Sequence, residues 1–415
     1  MSADERPRCR LKVKSVAKAK SQVTVIGAGP AGLTAAVALA GAHLSTILVA
    51  GRLRPDNRTT ALLASSITAL DTIGVWPGCR PSAAPLRTLR IVDATRRLWR
   101  APEIKFSASE IGLEAFGWNI ENLHLVAALT ARARALPNLI WNDDTACSVT
   151  PAERSVTVAL TGGDEIVASL VVGADGQNSL CRDAASIDTV GWSYPQTALT
   201  FNLGHTRPHH DVSTEFHTEL GPLTLVPLPG LRSSLVAVVA PREVARWELD
   251  DPAVLAETIE QRSHSILGKV TVEPGYGKFP LAVRTARRFA AKRIALVGEA
   301  AHVIPPIGAQ GLNLGLRDAA TIAELAVHAH RAGRDIGCAA VIDRYEHIRR
   351  ADVTTRTAAV DALNRSLLSD FLPVQGARSI SLFLLERIGP LRRAAMREGT
   401  VPAASQPRLM RGEAL

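Results

Sequence analysis

Residues 22–51 read QVTVIGAGPAGLTAAVALAGAHLSTILVAG, and the way this stretch folds decides the rest of the chain. From Ser21 to Gly51 there is no Asp, Glu, Lys or Arg. The run is long enough to span a bilayer, and the basic residues ahead of it resemble the front of a signal anchor. Three glycines and Pro30 lie in its middle, however, and His43, Ser45 and Thr46 interrupt its far end. A strand over Gln22–Ile26, a glycine turn, a buried helix over Ala31–Gly41 and a second strand over Ser45–Ala50 fit this pattern better. That order opens a doubly wound α/β sheet. Gly27, Gly29 and Gly32 form G-x-G-x-x-G between the strand and the helix, the context that gives the motif its meaning. The first glycine permits the tight turn, the second lets backbone approach a pyrophosphate, and the third lets helix pack on strand, with the helix N-terminus favouring phosphate. The second strand ends in LVAGR, without an acid to hold an adenosine ribose, which weakens the reading as an ordinary NAD dehydrogenase.

Working outward, residues 59–73, followed by Gly74, carry apolar positions at helical spacing and predict one helix with a glycine stop. Shorter alternating runs over 86–106 predict strands of a second layer, followed by a helix over Asn122–Leu136. Two strands between Leu139 and Leu160 are expected to pair as a hairpin, and Glu165–Val172 reads as a buried strand. From Trp192 to Val283 the chain is rich in Thr, Val, Leu and Pro, with strands expected at Thr197–Leu203, Leu223–Pro227 and Ser234–Val239. Two helical stretches, near Arg242–Leu249 and Pro252–Ser265, interrupt it. An apolar strand, Arg293–Val297, then returns to the first sheet. The expected architecture is α/β: a doubly wound, Rossmann-like nucleotide domain (residues 21–85, 111–190 and 286–370) carrying an inserted β-rich domain (86–110 and 191–285). A basic flexible arm (1–20) and a C-terminal helical region (371–415) flank it.

Composition bounds the function. The chain has 415 residues, 47% hydrophobic and 21% charged, enough to bury a full core. Its net charge of +9 is concentrated at the ends: residues 1–20 carry +5 and residues 371–415 carry +4, leaving a neutral body that does not read as a nucleic-acid surface. Five scattered cysteines without C-x-x-C spacing fit a reducing compartment, so a cytoplasmic location is expected. His205, His209, His210 and His217 are too irregularly spaced to predict a metal site.

Two further motifs follow apolar strands. GADGQNS (173–179) places Asp175 and Gly176 at a strand end, where a carboxylate can hold hydroxyls or order loop amides; by itself Asp-Gly is a common turn. GEAAHVIPPIGAQGLNLGLRD (298–318) is longer and more specific. Glu299 follows a strand, Pro305 and Pro306 stiffen the loop, and Gly308 and Gly311 allow close backbone approach. A helix starting near Leu312 points its free N–H groups at whatever the loop holds. Such an end suits an electron-rich ring that gains negative charge on reduction, as a flavin does.

With these three motifs in order, the chain resembles the class A FAD-dependent aromatic hydroxylases over roughly residues 21–370. DNRTTALLASSITALDTIGVW, IENLHLVAAL, LNLGLRDA and the C-terminal FLPVQGARSISLFLLERIGPLRRAAM resemble the ubiquinone-biosynthesis (UbiH/UbiF-type) hydroxylases in particular. The resemblance implies Gly27, Gly29 and Gly32 at the FAD pyrophosphate, Asp175 and Gly176 near that pyrophosphate and the nicotinamide approach, and Glu299 on the ribityl chain. It also implies Pro306, Gly308, Gln310, Gly311, Leu312 and Asn313 around the isoalloxazine, with Arg58 near the flavin and Asn122 a further candidate. The family usually has Asp where this chain has Glu299. The implied chemistry is monooxygenation: NADH or NADPH reduces FAD, O2 gives a flavin hydroperoxide, and one oxygen passes to the ring of a polyprenyl phenol. No metal and no Ser/His/Asp triad is expected, no general base can be named, and His302 reads as structural. Rival readings are a hydroxylase of a soluble aromatic compound and a non-catalytic flavoprotein scaffold in a quinone-biosynthesis complex. Phe371–Met396 combines Phe, Leu and Ile clusters with arginines. It suits an interfacial helix on anionic lipid at the inner membrane face, or equally a helix packed on the FAD domain with a solvated basic face.

Overall fold

The computed structural model describes residues 18–51, 56–95, 102–218, 221–249, 251–306, 308–368, 387–400 and 406–415. The chain opens with β1 (Lys18–Ile26), α1 (Pro30–Gly41) and β2 (Thr46–Val49). It continues through β3 (Thr59–Leu63), α2 (Ala64–Thr72), a single turn α3 (Trp76–Cys79), β4 (Ala83–Pro85), β5 (Thr88–Asp93), β6 (Ile104–Ser107) and β7 (Gly117–Glu121). Next come α4 (Asn122–Arg134), β8 (Leu139–Asn142), β9 (Ala146–Pro151), β10 (Val156–Leu160), β11 (Glu165–Gly173) and α5 (Leu180–Ala184). The inserted region supplies β12 (Thr189–His205), β13 (Val212–Thr218), β14 (Gly221–Leu228), β15 (Arg232–Val239), α6 (Pro241–Leu249), α7 (Pro252–Arg262) and β16 (Val270–Ala286). The chain then returns through β17 (Ala290–Ala291), β18 (Ile294–Leu296), β19 (His302–Val303), α8 (Gln310–Arg331), α9 (Ala339–Leu368) and α10 (Gly389–Thr400).

In the first sheet β18, β11, β1, β2 and β8 run parallel in that spatial order, and β10 and β9 extend it antiparallel from β11. Its central strands are apolar because helices cover both faces. α1 is buried from Gly32 to Ala40, so small residues fill most of its turns and let it lie between the sheet and α8. Leu33, fully buried there, would cost about 2–5 kcal/mol if cut back to Ala. The second sheet has the order β19-β16-β12-β15-β14-β13-β5-β6, and a small third sheet β3-β7-β4 lies between the two. Asn119 on β7 joins that small sheet to the large one, its amide donating to Pro227 O (2.9 Å) and Ser234 Oγ (3.1 Å).

Four expectations change. Residues 59–63 form a strand rather than the first turn of a helix, because they pair antiparallel with Gly117–Glu121; the helix starts only at Ala64 and stops at Gly74, φ +75°. Leu139–Asn142 pairs in parallel with β2, so the hairpin is β9–β10 alone. Lys18–Lys20 belong to β1, in register with Glu165–Val167, and not to the basic arm, whose residues 1–17 lie outside the described residues. Finally, the C-terminal residues 406–415 come back to the nucleotide domain, where Leu409 and Met410 join its main core. Among the described residues no helix is long and apolar enough to cross a membrane.

Candidate functional site

Strand register brings the three motifs together. Ile26 pairs with Gly173, and Gly173 pairs with Leu296, so the chain leaves β1, β11 and β18 at one level. Backbone bonds stitch these exits: Gly27 N–H to Val49 O (2.9 Å), Ala174 N–H to Ile26 O (2.8 Å) and Val297 N–H to Gly173 O (2.9 Å). Close approach dictates glycine here. A Cβ on Gly27, whose φ is +106°, would lie 2.3 Å from Ala174 O, and one on Gly32 would lie 2.0 Å from Gly27 O. Gly29 is different: nothing lies within 4 Å of its Cβ position. The N-terminus of α1 therefore opens onto free space with no side chain capping it, the arrangement a pyrophosphate needs.

The other two loops are cross-braced. Asp175 accepts from Ser179 Oγ (2.6 Å) and from the Cys181 N–H (3.0 Å), so its carboxylate orders its own loop. Gly176 follows at φ +77° with open space at its Cβ position. Arg182 donates to both Gln177 O (2.9 Å) and Ala300 O (3.1 Å), and Gln177 Nε2 donates to Glu299 Oε2 (3.3 Å). Glu299 sits on a short 3-10 turn, half-exposed, 3.8 Å from Arg58 Nη1. Arg58 in turn holds Asp56 with a two-pronged grip (Nε to Oδ1 and Nη2 to Oδ2, both 2.7 Å) and lies over the Phe279 ring at 5.3 Å. Asn122 completes this corner, donating to Asp56 Oδ2 (2.8 Å) and accepting from Thr60 Oγ1 (2.6 Å). The Asp56 grip raises the Arg58 pKa. Burial works against ionisation of Asp56, but the Arg58 bonds and charge outweigh it and hold the carboxyl below its usual range. Arg58 thus marks where the nucleotide domain meets β16 of the second sheet.

Asn313, at the start of α8, is spent structurally: its Oδ1 accepts from the Leu63 N–H (2.9 Å) and its Nδ2 donates to Ala61 O (2.9 Å) and Ala309 O. At Gly311 and Asn313 only main-chain groups are left to face a ligand, and no side chain caps α8. Pro306 and Gly308 are exposed along the same loop. Sequence reasoning missed Asp56, Gln177, Arg182 and Phe279; apart from the local pairs Asp56–Arg58 and Gln177–Arg182, their partners lie too far along the chain for spacing to reveal them. His302 is buried against Asp318 (2.7 Å). In the β region His205 bonds Ser233, His209 the Leu228 carbonyl and His217 Glu215, and among the described residues no three His, Cys, Asp or Glu gather as a metal site. An open groove of about 730 Å³ between Pro151–Glu153, Ala185–Ile187 and Gly337–Asp343 lies at the opposite end of the strands and contains none of the motif residues.

A family model described as FAD binding domain matches residues 20–360. The chain belongs to this family. It is 33% identical to the ubiquinone hydroxylase UbiL of Rhodospirillum rubrum over 99% of this chain and 97% of that one. To the 3-demethoxyubiquinol 3-hydroxylase of Escherichia coli it is 28% identical, covering 91% of this chain and 97% of the relative. The fold matches the crystal structure of the p-nitrophenol 4-monooxygenase PnpA from Pseudomonas putida, with a TM-score of 0.76 and 19% identity over 92% and 98% of the two chains. The protein is thus an FAD-dependent monooxygenase of the ubiquinone-hydroxylase kind. Its site residues fit FAD: Gly29 and Gly311 have no atom within 4 Å of their Cβ positions, and both flanking helices present uncapped N-termini. Asn142 Oδ1, Asp144 and Thr145 pack around the end of β2, where the acid for the ribose is missing; Gly51 is tied to the Asp144 carbonyl (3.1 Å), and Arg52 lies outside the described residues.

Proposed function

We propose that this chain hydroxylates the aromatic ring of a polyprenyl phenol in ubiquinone biosynthesis, working in the cytoplasm at the inner face of the membrane. The observation that carries the reading is end-to-end similarity to the Rhodospirillum ubiquinone hydroxylase, with all three flavin motifs converging at one sheet end. Bound FAD would take electrons from NADH or NADPH and deliver one atom of O2 to an electron-rich ring, so the difficult step belongs to the cofactor. The protein contributes position. Gly27, Gly29 and Gly32 let main chain and the α1 N-terminus meet the pyrophosphate; Asp175 and Gly176 shape the neighbouring loop, and Glu299 with Arg58 flanks the ribityl chain. Pro306, Gly308, Gln310, Gly311, Leu312 and Asn313 border the ring, with the α8 N-terminus offsetting the charge of the reduced state. The large sheet reaches the site through Phe279 on β16, which lies under the Arg58 guanidinium.

The membrane surface is supported by α10. Leu391 and Ile388 are 46% and 43% exposed, and Arg393 and Arg397 are exposed beside them. Arg392 faces the other way, bonding Glu110 (2.6 Å) and covering the Phe106 ring, so it anchors the helix instead of reaching lipid. Met396 is buried on that same inner side. Residues 371–386, the more apolar part of this segment, lie outside the described residues. The deciding experiment is deletion of the gene from a quinone-producing host, with the accumulated intermediate identified by mass. A prenylated precursor lacking one hydroxyl, cleared by complementation, supports the proposal. Unchanged quinone content with turnover of short-chain phenols assigns a soluble substrate. Bound FAD with no NAD(P)H oxidation on any phenol points to a scaffold.

A further inference from the structure

The flavin loop is gripped at both ends by one buried charge cluster that the reading above does not use. At its entry, Asp318 Oδ2 on α8 accepts from the Gly298 N–H (3.0 Å) and from His302 Nε2 (2.7 Å). Its other oxygen accepts from Arg349 Nε (2.6 Å), and Arg349 Nη1 donates onward to Asp352 (2.7 Å). Asp352 also receives Arg317 Nη1 (2.9 Å) and Arg356 Nε (2.9 Å). Arg356 then reaches the exit of the loop: its Nη1 donates to Gln310 Oε1 (3.2 Å), and Gln310 Nε2 donates to Gly308 O (3.1 Å).

This last link lands on strained backbone. Gly308 and Ala309 are both left-handed, φ +65° and +55°, immediately before α8. For Ala309 the Cβ disfavours that conformation, which persists only where neighbours enforce it. Asn313 holds the Ala309 carbonyl, and the Arg356–Gln310 pair holds that of Gly308. The turn they enforce aims the first N–H groups of α8. The cluster also has a sign: Arg317, Arg349 and Arg356 against Asp318 and Asp352 leave one surplus cation. Glu398 on α10 lies 3.6 Å from Arg356 but is 65% exposed, where water and salt screen it.

We propose that Arg356 is a positioning residue for the flavin, clamping the Gly308–Ala309 turn through Gln310 and lending it the surplus positive charge of the buried cluster. The inference rests on the assignment of residues 308–313 to the flavin ring. An anionic reduced ring is stabilised by that charge, so its removal disfavours reduction.

The test uses purified full-length holoenzyme, with the two-electron midpoint potential and the FAD dissociation constant measured for wild type, R356Q, R356K and Q310A. R356Q is expected to lower the reduced-to-oxidised ratio at fixed potential about tenfold, equivalent to about 30 mV for a two-electron couple. R356K keeps the charge and is expected to recover most of the potential while leaving FAD binding several-fold weaker. Q310A cuts the clamp from the loop side at a partly exposed helix end and is expected to weaken FAD binding to the same degree. The R356Q/Q310A pair is expected to be clearly less than additive. A wild-type potential in R356Q, no rescue by lysine, or additive effects overturns the proposal. Should R356Q not fold, wild-type FAD affinity in Q310A overturns it alone. Failure of wild type itself to bind FAD is the separate result that would remove the flavin assignment.

Discussion

The two sides of the loop over residues 298–313 are built from different physics. On the sheet side, at Gly27 and Gly32, what matters is the absence of side chains: main chain touches main chain, and any Cβ collides; at Gly173 an added Cβ would meet the Cys181 side chain at 2.5 Å. On the α8–α9 side, what matters is long side chains that meet across two helices, with Arg349 and Asp318 both essentially out of water. The first kind of contact tolerates no added atom. The second tolerates shape change but not loss of charge, because a partner left behind is buried and unpaired. The sheet side should therefore fail by collision and the helix side by electrostatics.

The largest effect is expected at Gly27. Gly27→Ala combines a left-handed φ with a carbonyl 2.3 Å away and should cost about 3 kcal/mol or more, read as a loss of soluble, FAD-containing protein and a lower melting temperature. Gly29→Ala, two residues on, has open space around it. It should leave the apo-protein's melting temperature intact and weaken FAD about tenfold or more, because the methyl enters space a pyrophosphate would use. Equal behaviour of the two variants would break the distinction between a packing glycine and a binding glycine.

Next comes Asp318→Asn, which keeps shape and removes charge. It removes one of the two carboxylates that Arg349 bonds in the interior, leaving Asp352, and the expected cost is about 2–3 kcal/mol by chemical denaturation. A cost below about 1 kcal/mol would show that the cluster is wetter than its geometry implies. The same cluster sets an acid limit. For Asp352, burial opposes ionisation, but the charges of Arg349 and Arg317 outweigh it and hold the carboxyl well below the usual range. Asp318 is lowered too, by Arg349 and His302 acting against its burial. A carboxyl depressed in the folded state adds stability above its unfolded value, about 3.9, and loses that contribution as pH falls further. Wild-type stability should drop steeply below about pH 4, and Asp352→Asn, already weaker at neutral pH, should show a flatter acid limb. Parallel curves would assign acid sensitivity elsewhere.

What the sequence disclosed follows this division. The β1–α1–β2 unit was readable because glycine spacing and an uncharged run are local signals, and the structure places all three expected elements there. Of the large sheet, β12, β14 and β15 were readable from runs rich in Thr, Val and Leu, whereas β13 and β16 were not singled out. Residues 59–63 misled because their apolar spacing suits a helix, while the choice of strand depends on pairing with residues near 120. Asp175 was seen as a strand-end carboxylate, but its employment within its own loop depends on where Ser179 and Cys181 turn. Arg392 read as one of several surface arginines, since its partner Glu110 lies 282 positions away. The buried cluster was illegible for the same reason: nothing in RRADVTTR says that its charges face α8 and not solvent.

The smallest effect expected is at Arg58, where the two kinds of contact meet. Its fork holds Asp56, its face covers Phe279, and its far nitrogen approaches Glu299 without reaching hydrogen-bond distance. Lysine keeps the charge near Glu299 but has neither a fork nor a flat face. Arg58→Lys should therefore lower stability by about 1 kcal/mol, through the Asp56 grip, and weaken FAD by no more than about threefold, since the cation stays. Arg58→Gln removes the cation as well and should weaken FAD further, so the difference between the two variants isolates charge from shape. If lysine and glutamine weaken FAD alike, the residue acts by shape, as the glycines do. If lysine matches wild type in both affinity and stability, neither the fork on Asp56 nor the stacking on Phe279 matters, and the corner is held by Asn122 and Thr60 instead.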